Sequence, residues 1–386
     1  MTDAPREIRV LHLCEHFGNH EASFHGVARS FELWLPELDR PPFRVWLCSR
    51  AKPSAAALER YRRAGIEPLS LGYGKLDPRN LKKLLRICRE LRIGILHLHG
   101  YGSCTWGRIA ARILGIPAIV HERCNYGTVP WFQRPVERLL APWTDLAFAV
   151  SESTRRFTID KRYLPADKVK LLYSGIPLDR IPPPDPDASA RLRAEHGADN
   201  NTFLMGIAGR LEPHKGHADV FDALASIASA DASALGDWRL WVVGDGYHQA
   251  ALADRARALG LADRIEFAGY QSDIWPWIRA LDLQIFPSHR EGTPNTLYEA
   301  MAAGNAILAS TADGQGEILT DGRDALLYAP GDTAALRDRL LRLRADPALR
   351  AALAAGASGR IRDFDMARTM DTLRQTYLAL ASRRTP

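Results

Sequence analysis

No apolar run in this 386-residue chain approaches the roughly 20 residues a membrane-spanning helix needs. The opening MTDAPREIRVLHLCEHFG also lacks the basic start, apolar stretch and small-residue cleavage site of an export signal. The expectation is a soluble, cytoplasmic protein. Cysteine is scarce: Cys14, Cys48, Cys88, Cys104 and Cys124 are odd in number, scattered and never spaced C-x-x-C. That argues against a disulfide framework or a zinc knuckle, suits a reducing compartment, and makes buried structural thiols the expectation. Lysine is sparse as well. Of 51 basic residues 43 are arginine, a bias that genome composition explains as well as function does.

Several catalytic signatures are missing. There is no G-x-x-x-x-G-K-[ST] phosphate loop, and GYGSCTWG (100–107) has the wrong spacing for a dinucleotide fingerprint, so nicotinamide chemistry loses its main support. No H-E-x-x-H or clustered Cys/His suggests a metal site, and neither a metal nor a cofactor is expected. Low-complexity tracts and short repeats are likewise absent.

What is present is globular. The chain is 46% hydrophobic and 25% charged, at a length that favours two domains of roughly 150–200 residues. Its net charge of +6 divides unevenly: residues 1–180 carry 29 Lys/Arg against 18 Asp/Glu, and residues 181–386 carry 22 against 27. A basic first half implies an anionic surface or ligand on that side; no nucleic acid is expected.

Strand-like and helix-like runs alternate. IRVLHLCE (8–15), FRVWLCSR (43–50), ILHLHG (95–100), PAIVHER (117–123), LAFAVSES (146–153) and VKLLYSGI (169–176) read as strands. Amphipathic stretches near 26–38, 58–65 and 103–114 fall between them. IPPPDPDASA (181–190), with four prolines, is the linker candidate. The rhythm then restarts with FLMGIAGR (203–210), WRLWVVGDG (238–246), RIEFAGY (264–270), LDLQIFPS (281–288) and NAILAS (305–310), and the last twenty residues read as a helix. Short strands between helical patterns mean parallel sheets, so the expected architecture is α/β: two doubly wound domains, with ligand sites at the strands' carboxyl ends, facing a cleft. The boundaries are a first domain at 1–180, a linker at 181–195, a second domain at 196–365, and a terminal helix at 366–386 packing back on the first domain.

Two stretches carry chemistry. In SHREGTPNTLYEAMAAGNAIL (288–308), Thr293-Pro294 reads as a helix start, with threonine capping and proline at the first helical position. The amides from Thr293 to Leu297 would then form an anion site. Glu291 lies just before that start, and Glu299 lies about 9 Å along the helix at 1.5 Å per residue. One carboxylate can hold hydroxyls beyond a bound diphosphate and the other hydroxyls on its nucleoside side. Read singly, Glu291 is a solvated loop charge and Glu299 an exposed helix residue; the pair around a Thr-Pro start favours a ligand. In GRLEPHKGHADVF (209–221), Arg210 and Lys215 leave the carboxyl end of a strand, and Gly216 opens a helix. Two cations on such a loop suit two oxygens of a diphosphate, although a solvated basic loop is the plainer reading.

The G-R-L-x-x-x-K-G run at 209–216 and E-G-x-P-x-x-x-x-E-A-M-A-x-G at 291–304 resemble retaining GT-B glycosyltransferases of the family-4, group 1 type. VVGDG (242–246), FAGY (267–270) and G-x-D-x-L-L (322–327) are similar to that family's second domain in order and spacing. The resemblance implies that Arg210 and Lys215 hold the donor diphosphate, that Glu291 binds the transferred sugar, and that Glu299 binds the ribose. Gly209, Gly292, Thr293, Pro294, Asn295 and Thr296 would line the donor, with Gly244 and Tyr270 as further candidates. In the first domain FHGVARSF (24–31) resembles the glycine-containing loop entering the first helix, with Gly26, or alternatively Gly18, near the diphosphate. His121 or Arg123 in VHERCNY (120–126) falls where the family has a histidine near the sugar's reacting carbon. His97 and His99 are expected at a cleft edge, as structural residues.

The function so implied is transfer of a sugar, with retention and without a metal, from a UDP- or GDP-linked donor to a glycan or lipid-linked acceptor. It would be a hexosyltransferase of bacterial polysaccharide or glycolipid synthesis. The alternatives are a sugar-nucleotide epimerase or phosphorylase on the same fold, and a non-catalytic binding subunit. WFQRPVERLLAPW (131–143) and KRYLPADKVK (161–170) suggest peripheral attachment to an anionic inner membrane face, or else a partly buried helix with solvated charges.

Overall fold

The computed structural model describes residues 7–17, 26–125 and 127–383. The chain forms two compact units, the first made of residues up to Ser174 together with those from Met366 onward, the second of Gly175–Asp365.

Unit 1 holds strands β1 (Ile8–Cys14), β2 (Phe43–Ser49), β3 (Leu69–Ser70), β4 (Ile95–His99), β5 (Ala118–Glu122), β6 (Leu146–Ala149) and β7 (Val169–Leu171). They lie in the order β3-β2-β1-β4-β5-β6-β7, every pair parallel. Strand order reverses between β1 and β4, the position at which doubly wound sheets bind ligands. Side chains alternate across the sheet. Leu11, Leu13, Leu96, Leu98 and Val120 pack on one face with Leu84 and Ala110. Val10, Ile95, Ile119 and Phe148 pack on the other with Trp34, Met370, Leu373 and Tyr377. The last three belong to the helix Met366–Ser382, so the chain's final helix completes the core of its first unit.

Unit 2 holds β8 (Phe203–Ala208), β9 (Trp238–Val243), β10 (Ile265–Gly269), β11 (Leu283–Phe286), β12 (Ile307–Ser310) and β13 (Leu326–Tyr328), in the order β10-β9-β8-β11-β12-β13. Its pairs are all parallel as well. Because helices cover both faces of such a sheet, its strands are continuous apolar runs, and β8 (FLMGIA) is buried at every residue. Trp277 of WPW (275–277) packs edge-on to Trp241 in this core.

Two expectations are corrected. The division falls at Ser174–Gly175 rather than near residue 180. The segment 181–195 is no free linker: Pro186–Glu195 is a helix, with the Asp185 carboxylate accepting from the Ala188 amide at 2.9 Å. Arg279 donates to the carbonyls of Pro182 and Pro183, which ties the proline run to unit 2. Proline early in a helix loses no hydrogen bond, so a proline-rich string can lead straight into one. No described helix is long and apolar enough to cross a membrane.

Candidate active site

Strand order in unit 2 reverses between β8 and β11, and the two chemistry-bearing stretches leave the carboxyl ends of those two strands. Backbone contacts draw their loops together. Gly216 sits at φ +71°, and a Cβ there would overlap the carbonyl of Pro287, so only glycine satisfies both the turn and the approach. The His289 amide donates to the His214 carbonyl at 2.8 Å, joining the loops a second time. The outcome is direct: Lys215 and Glu291, 76 residues apart, form an ion pair in which each side chain is about 15% exposed. Arg210, more exposed, pairs with Glu212 at 2.5 Å on the same loop as Lys215.

The Glu291 loop is held from below by residues that sequence reasoning did not single out. Asp313, at φ +39°, accepts from the Glu291 amide at 3.1 Å, and the Gly314 amide donates to the Glu291 carbonyl at 3.3 Å. A Cβ on Gly314 would overlap the Gly292 carbonyl. The Ser310 hydroxyl donates to the Ser288 carbonyl at 2.5 Å, and Gln315 donates to Phe286 and to Ser310. The signal in TADGQGE (311–317) was the glycine pair, yet its meaning depends on a contact with a loop 22 residues earlier.

The helix begins later than expected. It spans Asn295–Ala303, with Pro294 in extended conformation (ψ 131°) at the cap position and no side-chain cap bond, so Thr293 lies outside it. Gly292 is buried, and Thr293 through Thr296 are half-buried around this start. Glu299 is not an exposed helix residue; it is 3% exposed and lies in the run Leu297–Met301 that faces the core. Its burial sets it apart from an ordinary surface glutamate. Gly209 follows β8, and Gly244, at φ +141°, packs so closely on the Gly209 carbonyl that a Cβ would overlap it. Tyr270 follows β10, more than a third exposed. Arg210, Lys215, Glu291, the 292–296 turn, Glu299, Gly209 and Gly244 therefore belong to one end of one unit.

The first-domain candidates lie in unit 1. Gly26 is the first residue of the helix Gly26–Leu38; Gly18 lies outside the described residues. His121 is the penultimate residue of β5 and is fully buried, not displayed. Arg123, two residues on, places its guanidinium 4.0 Å from the Trp34 ring centre and donates to the Ser174 hydroxyl at 3.1 Å. Burial pushes its pKa down to about 9. His97 and His99 are corrected: they are not edge residues but lie inside the sheet with His12 and His121, all four at most 2% exposed. Burial, aided by Arg123 and by neighbouring imidazoles, holds His97, His99 and His121 well below the usual histidine range, and burial with Arg123 takes His12 to about 3. His12, His97 and His99 have ring nitrogens within 4.8 Å of one another, a cluster the sequence reading did not anticipate. The signal was the H-x-H of β4, which puts two imidazoles on one face; His12 joined them only through the β1–β4 register.

Two carboxylates also meet in unit 1. Glu122 and Glu137 accept from Arg162 at 2.9 and 3.0 Å, and Glu137 also accepts from Arg108 at 2.8 Å, all four side chains at most 2% exposed. In this network each carboxylate is fixed by at least one guanidinium.

Residues 202–346 match the family described as Glycosyl transferases group 1, and residues 24–180 match Glycosyltransferase Family 4. A D-inositol 3-phosphate glycosyltransferase of Frankia alni is 30% identical over 73% of this chain and 73% of its own. The lipopolysaccharide core biosynthesis glycosyltransferase LpsD of Rhizobium meliloti is 33% identical over 47% of this chain, a match spanning half of LpsD. Among solved structures, HepE of Anabaena in complex with UDP-glucose superposes with a TM-score of 0.82 at 22% identity, covering 97% of this chain and all of HepE. The fold is GT-B, as the sequence motifs implied.

Proposed function

The chain belongs to the family-4, group 1 glycosyltransferases, and from that premise we propose that unit 2 binds a nucleotide-diphosphate sugar for transfer to a glycan or lipid-linked acceptor held by unit 1. The observation that carries this reading is the Lys215–Glu291 pair at the β8/β11 switch point, with the buried Glu299 in the helix just beyond. Without a ligand the two charges neutralise each other. A donor inserted between them gives each a better partner: phosphate oxygens for Lys215, and hydroxyls of the transferred sugar for Glu291. Arg210 adds a second cation for the diphosphate, Gly209, Gly244 and the 292–296 turn supply close backbone, Glu299 takes the ribose, and Tyr270 flanks the nucleotide. From unit 1, Gly26 and either His121 or Arg123 are the proposed contributions.

The cations stabilise the charge that builds on the departing diphosphate, which removes the need for a divalent ion. Transfer then proceeds on the sugar's front face, with retention, as the leaving phosphate takes the acceptor's proton. Glu122 and Glu137 are no double-displacement nucleophiles on this reading, since arginines hold both. The relative named for lipopolysaccharide core synthesis supports a polysaccharide or glycolipid pathway. In WFQRPVERLLAPW, Trp131 and Leu139 are 79% and 65% exposed beside the exposed Arg134 and Arg138, which suits cytoplasmic attachment to an anionic membrane surface.

Calorimetric titration with UDP- and GDP-sugars, excess chelator present, tests the donor site. Saturable binding of one series is expected. Glu291→Ala should weaken the nucleotide sugar, but not the free diphosphate, by about ten- to hundredfold. Lys215→Ala should lower kcat by roughly a hundredfold. Absence of binding, or binding seen only after adding Mg²⁺ or Mn²⁺, would sink the metal-free donor reading.

A further inference from the structure

The buried imidazoles of unit 1 form one hydrogen-bonded chain. His99 Nε2 meets His12 Nδ1 at 3.2 Å, and His12 Nε2 meets the Tyr377 hydroxyl at 3.0 Å. That hydroxyl meets His97 Nδ1 at 2.7 Å, and His97 Nε2 meets His121 Nδ1 at 3.1 Å. The two ends, His99 Nδ1 and His121 Nε2, are buried and have no hydrogen-bond partner among the described residues. Register explains the assembly: His12 stands opposite His97, and His99 opposite His121, on the face that Tyr377 covers from the terminal helix.

A neutral imidazole has one N–H and one lone pair, and a phenol has one O–H. The Arg123 guanidinium nearby, together with complete burial, disfavours any imidazolium here. With all four rings neutral, four hydrogen bonds leave three arrangements. In the first every histidine carries its proton on Nε2, and in the second every histidine carries it on Nδ1. The third has Tyr377 accepting from both sides, which strands its buried O–H along with lone pairs at both ends. Only the two uniform arrangements confine the unpaired groups to one donor and one acceptor at the ends.

We propose that His12, His97, His99, His121 and Tyr377 form a tautomeric relay in which all four histidines share one protonation pattern, so that Tyr377 sets whether His121 Nε2 donates or accepts. In the first state His121 Nε2 offers a proton; in the second it offers a lone pair. Conversion from first to second passes one proton along each of the four hydrogen bonds. One proton enters at His99 Nδ1 and one leaves at His121 Nε2, with water as the donor and acceptor at the two ends, and net charge is unchanged. Tyr377, 256 residues from His121, is thus a positioning residue for it. The relay does not depend on the donor reading; only its use toward a ligand hydroxyl does.

Side-chain ¹⁵N–¹H correlation spectra of the full unliganded chain at pH 7 test the relay. The expected result is four neutral histidines of one type, all Nε2–H or all Nδ1–H. A mixed set, or an imidazolium among the four, would overturn it. Tyr377→Phe removes the link between the His12–His99 and His97–His121 pairs, so the His121 ring nitrogens should shift; unchanged His121 nitrogens would also overturn it. The rival occupant is a metal ion on His12, His97 and His99. Stoichiometric Zn²⁺ binding that is lost in His97→Asn would decide for the metal and against the relay, and no such binding is expected.

Discussion

Mild acid should unfold the first unit well before carboxylates begin to protonate, and the histidine cluster sets the size of the effect. His12, His97, His99 and His121 are buried and neutral, with pKa values far below the ordinary 6.5 and that of His12 at about 3. In the unfolded chain each returns to about 6.5. A depressed folded pKa gives stability that is complete above the unfolded value and is lost as pH falls from there toward the folded value. Between pH 7.5 and 5.5 each unfolded imidazole gains protonation worth roughly 1.4 kcal/mol, and the folded one gains none. Four of them together cost about 5 kcal/mol, against a total stability of about 5–15 kcal/mol for a typical domain. Urea denaturation of the full chain at pH 7.5, 6.5 and 5.5, followed by tryptophan fluorescence, should show the transition of unit 1 moving steeply to lower urea. His99→Gln should remove about a quarter of the slope. A loss below about 2 kcal/mol over that range would mean that the cluster is hydrated or already charged, and would refute the burial argument.

Gly314→Ala should damage the site without touching a ligand: its methyl would meet the Gly292 carbonyl, so the 291–293 turn must shift, and donor affinity should fall about tenfold or more while far-ultraviolet dichroism stays near wild type. Unchanged affinity would show that this turn is not the donor's. If the basic first half and the exposed Trp131 and Leu139 dock on an acidic surface, the chain should cosediment with anionic vesicles at low salt and release as salt rises past about 0.1 M. Equal binding to neutral vesicles would remove the electrostatic part of that reading.

Strands with strong apolar runs were legible: eleven of the thirteen among the described residues were expected within a few residues of where they lie. The two that escaped, β3 (Leu69–Ser70) and β13 (Leu326–Tyr328), are two- and three-residue edge strands too short to show a period. The helix Pro186–Glu195 was hidden because its prolines read as punctuation, although one proline in the first turn is no obstacle. At the site, Lys215 and Glu291 could be named from local spacing because each sits on a strand-to-helix loop. Their mutual pairing could not, since it depends on Gly216 meeting Pro287 across 71 residues. His97 and His99 were visible as a pair, but which way β4 turned them required the register with β1.

The final helix has a consequence for how the chain is made. Met370, Leu373 and Tyr377 cover apolar side chains of β1, β4 and β6 (Val10, Ile95, Phe148), yet about 190 residues of unit 2 are translated in between. At roughly 5–20 residues per second, that leaves part of this sheet face uncovered on the ribosome for about ten to forty seconds. Synthesis is therefore the interval in which this protein is most open to aggregation, and a nascent-chain chaperone would find its target on the part of the β1–β4 face that the final helix later covers.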